Sequence, residues 1–134
     1  MPELEEKSVN YSGTEVVVTT TTETVIISSG PVKVARQTCR VVVKAWAVLV
    51  TGTAATAVTS RIRRGTAITG AVLADEYPET LKAAAGGTEP FVIQGTEERS
   101  NVDTVEYSLT LQQASATGNG SAFRAMIEVE ILGG

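Results

Sequence analysis

The sequence predicts an all-β protein: an antiparallel jelly-roll sandwich of about eight strands with one short helical turn in a loop. Three observations carry that expectation. Apolar and polar residues alternate with period two through the longest segments, above all Thr38 to Val50 and Ala122 to Leu132. The apolar content, 43% of 134 residues, includes few aromatics (4% of the chain), so most of it is Val, Ile, Leu and Ala, rich in the β-branched types that suit a pleated surface. Turn-forming clusters such as Ser29-Gly30-Pro31, Thr51-Gly52-Thr53-Ala54 and Ala116-Thr117-Gly118-Asn119-Gly120-Ser121 separate these segments.

The length is that of one ordinary domain, which buries roughly two-thirds of its unfolded surface without metal or disulfide staples. Residues 1–13 are polar, with Glu3, Glu5 and Glu6, and are expected to form a flexible N-terminal arm. Such an arm is either a disordered end or a segment lying across a neighbour. Residues 14–134 are expected to form a single jelly-roll domain.

The first strands are Glu15–Thr20 and Thr24–Ser28, β-branched runs divided by polar threonines. The Ser29-Gly30-Pro31 turn follows. The strand Thr38–Val50 places Cys39, Val41, Val43, Ala45, Ala47 and Leu49 on the core face. Its other face carries Arg40, Val42, Lys44, Trp46, Val48 and Val50, beginning charged and ending apolar. In Thr56–Arg64, Val58 and Ile62 point one way while Arg61 and Arg63 point the other. Gly65 and Gly70 bracket Ile68, and Val72-Leu73 follow.

Pro78 to Ala85 has helical character, with Pro at its start and Gly86-Gly87 at its stop, but is too short to stand alone. Pro90–Gln94 is a strand. Thr104–Gln113 follows, with Val105, Tyr107, Leu109 and Leu111 inward and Glu106, Ser108, Thr110 and Gln112 outward. In Ala122–Leu132, Phe123, Ala125, Ile127, Val129 and Ile131 alternate with Arg124, Met126, Glu128 and Glu130. Long strands beside short ones, with a late hairpin returning to the early part, fit a jelly roll better than an immunoglobulin sandwich.

Few functional groups are on offer. The chain has no histidine, which excludes Ser-His-Asp and Cys-His catalysis and imidazole metal sites. It has one cysteine, Cys39, in an apolar alternating run and expected to be buried. No phosphate-binding glycine motif occurs. Asp75, Glu76 and Glu79 are expected in a solvated loop, without the spacing of a calcium hand. No catalytic residue, cofactor or metal is expected, and the protein is not expected to be an enzyme.

The formal charge of −4 gives no drive toward nucleic acid, and no run approaches the ~18 apolar residues of a membrane helix. The acidic start lacks a signal-peptide layout, so synthesis in a cytoplasm is expected. Asn10-Tyr11-Ser12 and Asn119-Gly120-Ser121 match the glycosylation pattern by chance. Arg61-Ile62-Arg63-Arg64 is the one basic cluster. It either pairs with acidic neighbours such as Glu97 and Glu98 or meets an acidic surface on another subunit.

The polar faces of the two long strands are interrupted by Val42, Trp46, Val48, Met126 and Leu132. Bulk ringed by charge is how a subunit interface is built; the other explanation is a loop folding over Trp46.

The runs Val41-Val42-Val43-Lys44-Ala45-Trp46-Ala47-Val48-Leu49, Thr51 to Val58 and Arg61 to Thr66 resemble small structural proteins of tailed bacteriophages. So do Val105 to Thr110 and Gln113 to Gly120. Those proteins are similar in outline to the tumour-necrosis-factor-like jelly roll, are often trimeric, and include capsid decoration (cement) proteins. The resemblance covers roughly residues 38–132, and its motifs are textural, with no catalytic residue to carry over. It implies a homotrimer on the capsid surface of a virion, made in the host cytoplasm and bound to a major capsid protein. The interface residues above would join the subunits, while Arg61, Arg63 or the acidic Glu3, Glu5 and Glu6 would touch the shell. The alternative on the same fold is a receptor- or glycan-binding tail or fibre module, which would use loop residues such as Tyr77, Asn101 or Asn119.

Overall fold

The computed structural model describes residues 3–12, 16–18, 21–34, 39–51, 58–75, 88–99, 102–113 and 120–133. They form eleven strands: β1 Glu3–Ser12, β2 Val16–Val18, β3 Thr24–Ser28, β4 Val32–Val34, β5 Cys39–Thr51, β6 Val58–Arg64, β7 Val72–Asp75, β8 Thr88–Arg99, β9 Asp103–Val105, β10 Tyr107–Gln113 and β11 Gly120–Gly133. The first sheet has the order β1-β11-β5-β8, with β2 also on β11; the second has the order β3-β10-β6-β7; β4 and β9 form a small pair.

Five antiparallel pairings nest inside one another: β1 with β11, β3 with β10, β4 with β9, β5 with β8, and β6 with β7. The chain is therefore one long hairpin with its tip between β6 and β7. Rolling that hairpin sets β11 beside β5 and β10 beside β6, which splits the ribbon into two stacked sheets. This is the jelly-roll arrangement.

Alternation explains which residues meet between the sheets. Val41, Val43, Ala45, Ala47 and Leu49 of β5 are buried, as are Ile127, Val129 and Ile131 of β11 and Tyr107, Leu109 and Leu111 of β10. Cys39 is buried with them. Each fully buried Leu or Ile contributes about 1.5–3 kcal/mol of transfer free energy. Gly30 turns the chain after β3 with φ of 75°, a conformation that costs an L side chain energy and glycine almost nothing.

Three findings depart from the sequence expectations. The segment expected as a flexible arm is, over Glu3–Ser12, a full edge strand, because Lys7 to Ser12 pair residue by residue with Glu130 to Ala125. The face of β10 expected to be outward is not all wet: Ser108 and Thr110 are fully buried. β11 is also not a continuous alternation. Its register steps from Phe123 opposite Val48 to Met126 opposite Trp46, so Arg124 and Ala125 share Ala47. Arg124 sits in the left-handed region with φ of 54°, which marks the bulge. The helical turn expected at 78–85 lies outside the described residues.

The two sheets touch at both margins. On one side Asn10 of β1 donates from Nδ2 to the Ser28 carbonyl of β3 at 2.6 Å. On the other, β8 approaches β7 so closely that a Cβ on Gly95 would lie 3.0 Å from the Leu73 Cβ and 3.1 Å from the Ala74 Cβ. Gly95→Val is expected to overpack this margin and lower stability by about 2 kcal/mol, read as a shift in the urea-denaturation midpoint. An unchanged midpoint would show that the margin is not closed there.

Candidate functional site

The outer face of the first sheet is the candidate site. Register sets Tyr11 opposite Met126, Met126 opposite Trp46, and Trp46 opposite Val92. These four residues form one row across β1, β11, β5 and β8. Directly opposed residues share a face of a sheet, and the facing residues of β5 and β11 that point the other way are in the core. Trp46 and Met126 are half-buried. Tyr11 and Val92 at the ends of the row are 56% and 70% exposed, and Val9 on the next row is also exposed.

The five residues expected at a subunit interface, Val42, Trp46, Val48, Met126 and Leu132, all fall on this face. Val42 pairs with Glu130 and Leu132 pairs with Arg40, while Val48 follows Trp46 on β5. All five are half-buried. Tyr11, Val9 and Val92 were not expected here. The alternation Val9-Asn10-Tyr11 was the available signal, but the polar residues before it masked a strand.

Charges border the row. Glu128 lies opposite Lys44 in register and 3.8 Å from the Lys7 ammonium. Glu130 stands two residues along β11 from Glu128, on the same face of the strand. The neighbouring Glu130, with burial added, raises the Glu128 carboxyl above the usual value against the opposing pull of Lys7 and Lys44. Farther along, Arg40 donates from Nε to Glu98 at 3.1 Å.

The outer face of the second sheet is closed by its own chain. Glu23, just before β3, has a side chain only 8% exposed. Arg61 Nη1 donates to its Oε1 at 3.0 Å, and Arg63 donates from Nε and Nη2 at 2.5 and 2.8 Å. Thr110 Oγ1 donates to it at 2.7 Å. Arg61 also donates to Gln112, whose amide donates to the Thr21 carbonyl. Burial alone would raise the Glu23 carboxyl, but the hydrogen bonds from Arg63 and Thr110 and the charges of Arg63 and Arg61 together hold it below the usual range.

This corrects the expectation that Arg61 and Arg63 meet another subunit's surface. Alternation does aim both away from the core, yet the residues leading into β3 bring a carboxylate down onto them. Their expected partners are taken by other arginines: Glu97 pairs with Arg64 and Glu98 with Arg40. Glu97 projects from β8 and accepts bonds from Arg64 and, at 2.5 Å, from the Tyr107 hydroxyl of the opposite sheet. It is a polar clasp between the sheets at one end of the core. Burial and the Glu97 hydrogen bond raise the Tyr107 phenol.

Glu3, Glu5 and Glu6 belong to β1 by backbone, and their side chains lie outside the described residues. The same holds for Glu76, Tyr77, Glu79, Asn101 and Asn119. Among the described residues no group of three or more His, Cys, Asp or Glu could hold a metal ion.

No protein-family model matches the sequence, and no curated protein matches it. Solved structures do. Dimeric latent PorU from Porphyromonas gingivalis is 10% identical with a TM-score of 0.51, covering 95% of this chain and 13% of that one. The T13 IBDV viral particle gives 9% identity and a TM-score of 0.49, covering 98% of this chain and 37% of that one. Eiger TNF from S. frugiperda gives 12% and 0.44, covering 92% and 90%. At these identities the likeness is one of fold.

Glu23→Gln removes a buried counter-charge from the two largely buried guanidinium groups and is expected to cost about 3 kcal/mol at neutral pH. Because the folded carboxyl titrates below the unfolded one, Glu23 stabilises fully above the unfolded value and less as pH falls through the folded one. The variant's stability should therefore decline less steeply on acidification, compared by urea denaturation at pH 7 and pH 4. Equal slopes would show that Glu23 is not the titrating group.

Proposed function

We propose that the chain is a structural protein of a virion, a capsid decoration protein that self-associates as a trimer through the outer face of its first sheet. The observation that carries this reading is the row Tyr11–Met126–Trp46–Val92, apolar across four strands of the first sheet, β1, β11, β5 and β8. The exposed Tyr11 and Val92, with the half-buried Trp46 and Met126 between them, leave apolar surface in water that a partner surface would cover. Four strands about 4.8 Å apart and some ten residues long present roughly 600 Å² in projection, close to the ~800 Å² each side contributes to a stable interface.

The likeness of residues 38–132 to tailed-phage structural proteins supports placement on a capsid surface, beside a major capsid protein. Many weak contacts repeated over a shell add up without any one being strong. The work is binding and not catalysis, and it needs no cofactor, nucleic acid or membrane. Arg61 and Arg63 are committed to Glu23, so the acidic start of β1, with Glu3, Glu5 and Glu6, is the proposed contact with the shell.

Size-exclusion chromatography with light scattering at micromolar concentration is expected to give a trimer mass. Trp46→Glu should give a folded monomer, with an unchanged circular-dichroism spectrum. A wild-type protein that stays monomeric, or a variant that still assembles, would refute the placement of the interface.

A further inference from the structure

β1 is an edge strand of the first sheet, and its second half lacks the usual protection of such an edge. Among the described residues only β11 pairs with it, so the backbone groups along its other side are open to a further strand. Its first half is guarded: Glu3, Glu5, Glu6 and Lys7 are charged, and the register shifts between Leu4 and Glu6. Charge, proline and bulges of this kind blunt an edge. The edge at the other end of the sheet, β8, carries Pro90 and lies close against β7 at Gly95. Ser8 to Ser12, by contrast, has no charge, no proline and no shift of register. β1 also wears its apolar residues on the outside. Val9 and Tyr11 stand opposite Glu128 and Met126 on the outer face, 51% and 56% exposed, while Asn10 faces the second sheet and donates to the Ser28 carbonyl.

We propose that Ser8–Ser12 is a second contact between copies of this chain, in which two β1 strands pair antiparallel across a twofold axis at Asn10. The inference goes beyond the docking face described above and does not rest on it. A second copy is the occupant because the stretch is complementary to itself. Pairing centred on Asn10 sets Val9 opposite the partner subunit's Tyr11, and Tyr11 opposite the partner subunit's Val9. An aromatic beside a β-branched residue is a favourable cross-strand pair. A contact that repeats itself in both directions is how a twofold interface is built. Centring on Val9 instead would set Tyr11 against a lysine. The stretch carries no charge, so nothing in it selects a charged partner. The joined strands would make one sheet continuous through two molecules. So short a ladder falls well below the ~800 Å² that each partner gives a stable interface. This edge therefore ties assemblies together where copies are crowded, and holds no dimer in dilute solution.

Disulfide trapping in the full chain tests the pairing and its register. Residues directly opposite in an antiparallel pair lie about 4.5–5.5 Å apart at Cα, within disulfide reach, whereas diagonal neighbours about 7–8 Å apart lie beyond it. Val9→Cys and Tyr11→Cys chains are mixed in equal amounts at high micromolar concentration under mild oxidation. The mixture is expected to give roughly fivefold more covalent dimer than either variant alone. Cys39 is buried and does not compete. Both substituted positions are exposed, and circular dichroism checks that the variants are folded. In a Trp46→Glu background the cross-link is expected to persist, which separates this contact from the face. Amide exchange on the unmodified chain gives a second reading: on concentration, the amides of Ser8–Ser12 that point away from β11 are expected to slow. A mixture that cross-links no better than its components, a cross-link lost with Trp46→Glu, or β1 exchange that does not vary with concentration would overturn the edge pairing and leave the docking face standing.

Discussion

The antiparallel pairing of β5 with β11 is the constraint on which the molecule depends. It runs from Gly120 against Thr51 to Gly133 against Cys39, and it sits in the middle of the first sheet. Side chains on a strand alternate with period two, so a slip of one residue would expel Val41, Val43, Ile127 and Val129 from the core. The register that buries them also lines up Trp46 with Met126 on the other face. Core and candidate interface are two consequences of one alignment. On the far side of the bulge at Arg124, Gly120 to Ala122 pair with β5 along one edge and with β2 along the other, where the β1 pairing has ended.

The outer faces of the two sheets are finished differently. The second sheet is sealed from within: Glu23 gathers Arg61, Arg63 and Thr110, and Ser108 is covered beside them. Arg61, Arg63 and Arg64 each have a carboxylate partner in the same chain. On the first sheet Tyr11 and Val92 stay exposed. Its charges lie along the rows that border the apolar one. That asymmetry is why the first sheet's outer face, and not the second's, is the candidate site.

Much of the fold was legible in the chain because burial follows local alternation. The strand Thr38–Val50 is β5 within one residue, and the inward residues Val105, Tyr107, Leu109 and Leu111 are all buried. Val42, Trp46, Val48, Met126 and Leu132 stood out because bulk on an otherwise polar face is visible without coordinates. β1 was missed because its glutamates and lysine suit a solvated arm as well as an edge strand, and edge strands are commonly charged. Ser108 and Thr110 were misjudged for a related reason: a hydroxyl looks the same in sequence whether water or a carboxylate satisfies it.

The sequence by itself determined the all-β class, the inward faces of the long strands, and the presence of surplus bulk on the outer face of β5 and β11. Each depends on spacing within a single strand. Tertiary structure alone decided that Glu23 takes Arg61 and Arg63, that Glu97 joins Arg64 to Tyr107, and that Tyr11 and Val92 extend the Trp46–Met126 row. Those pairings join residues 10 to 115 positions apart. They exist because rolling a nested hairpin brings distant strands edge to edge, and no local periodicity encodes which strand becomes whose neighbour.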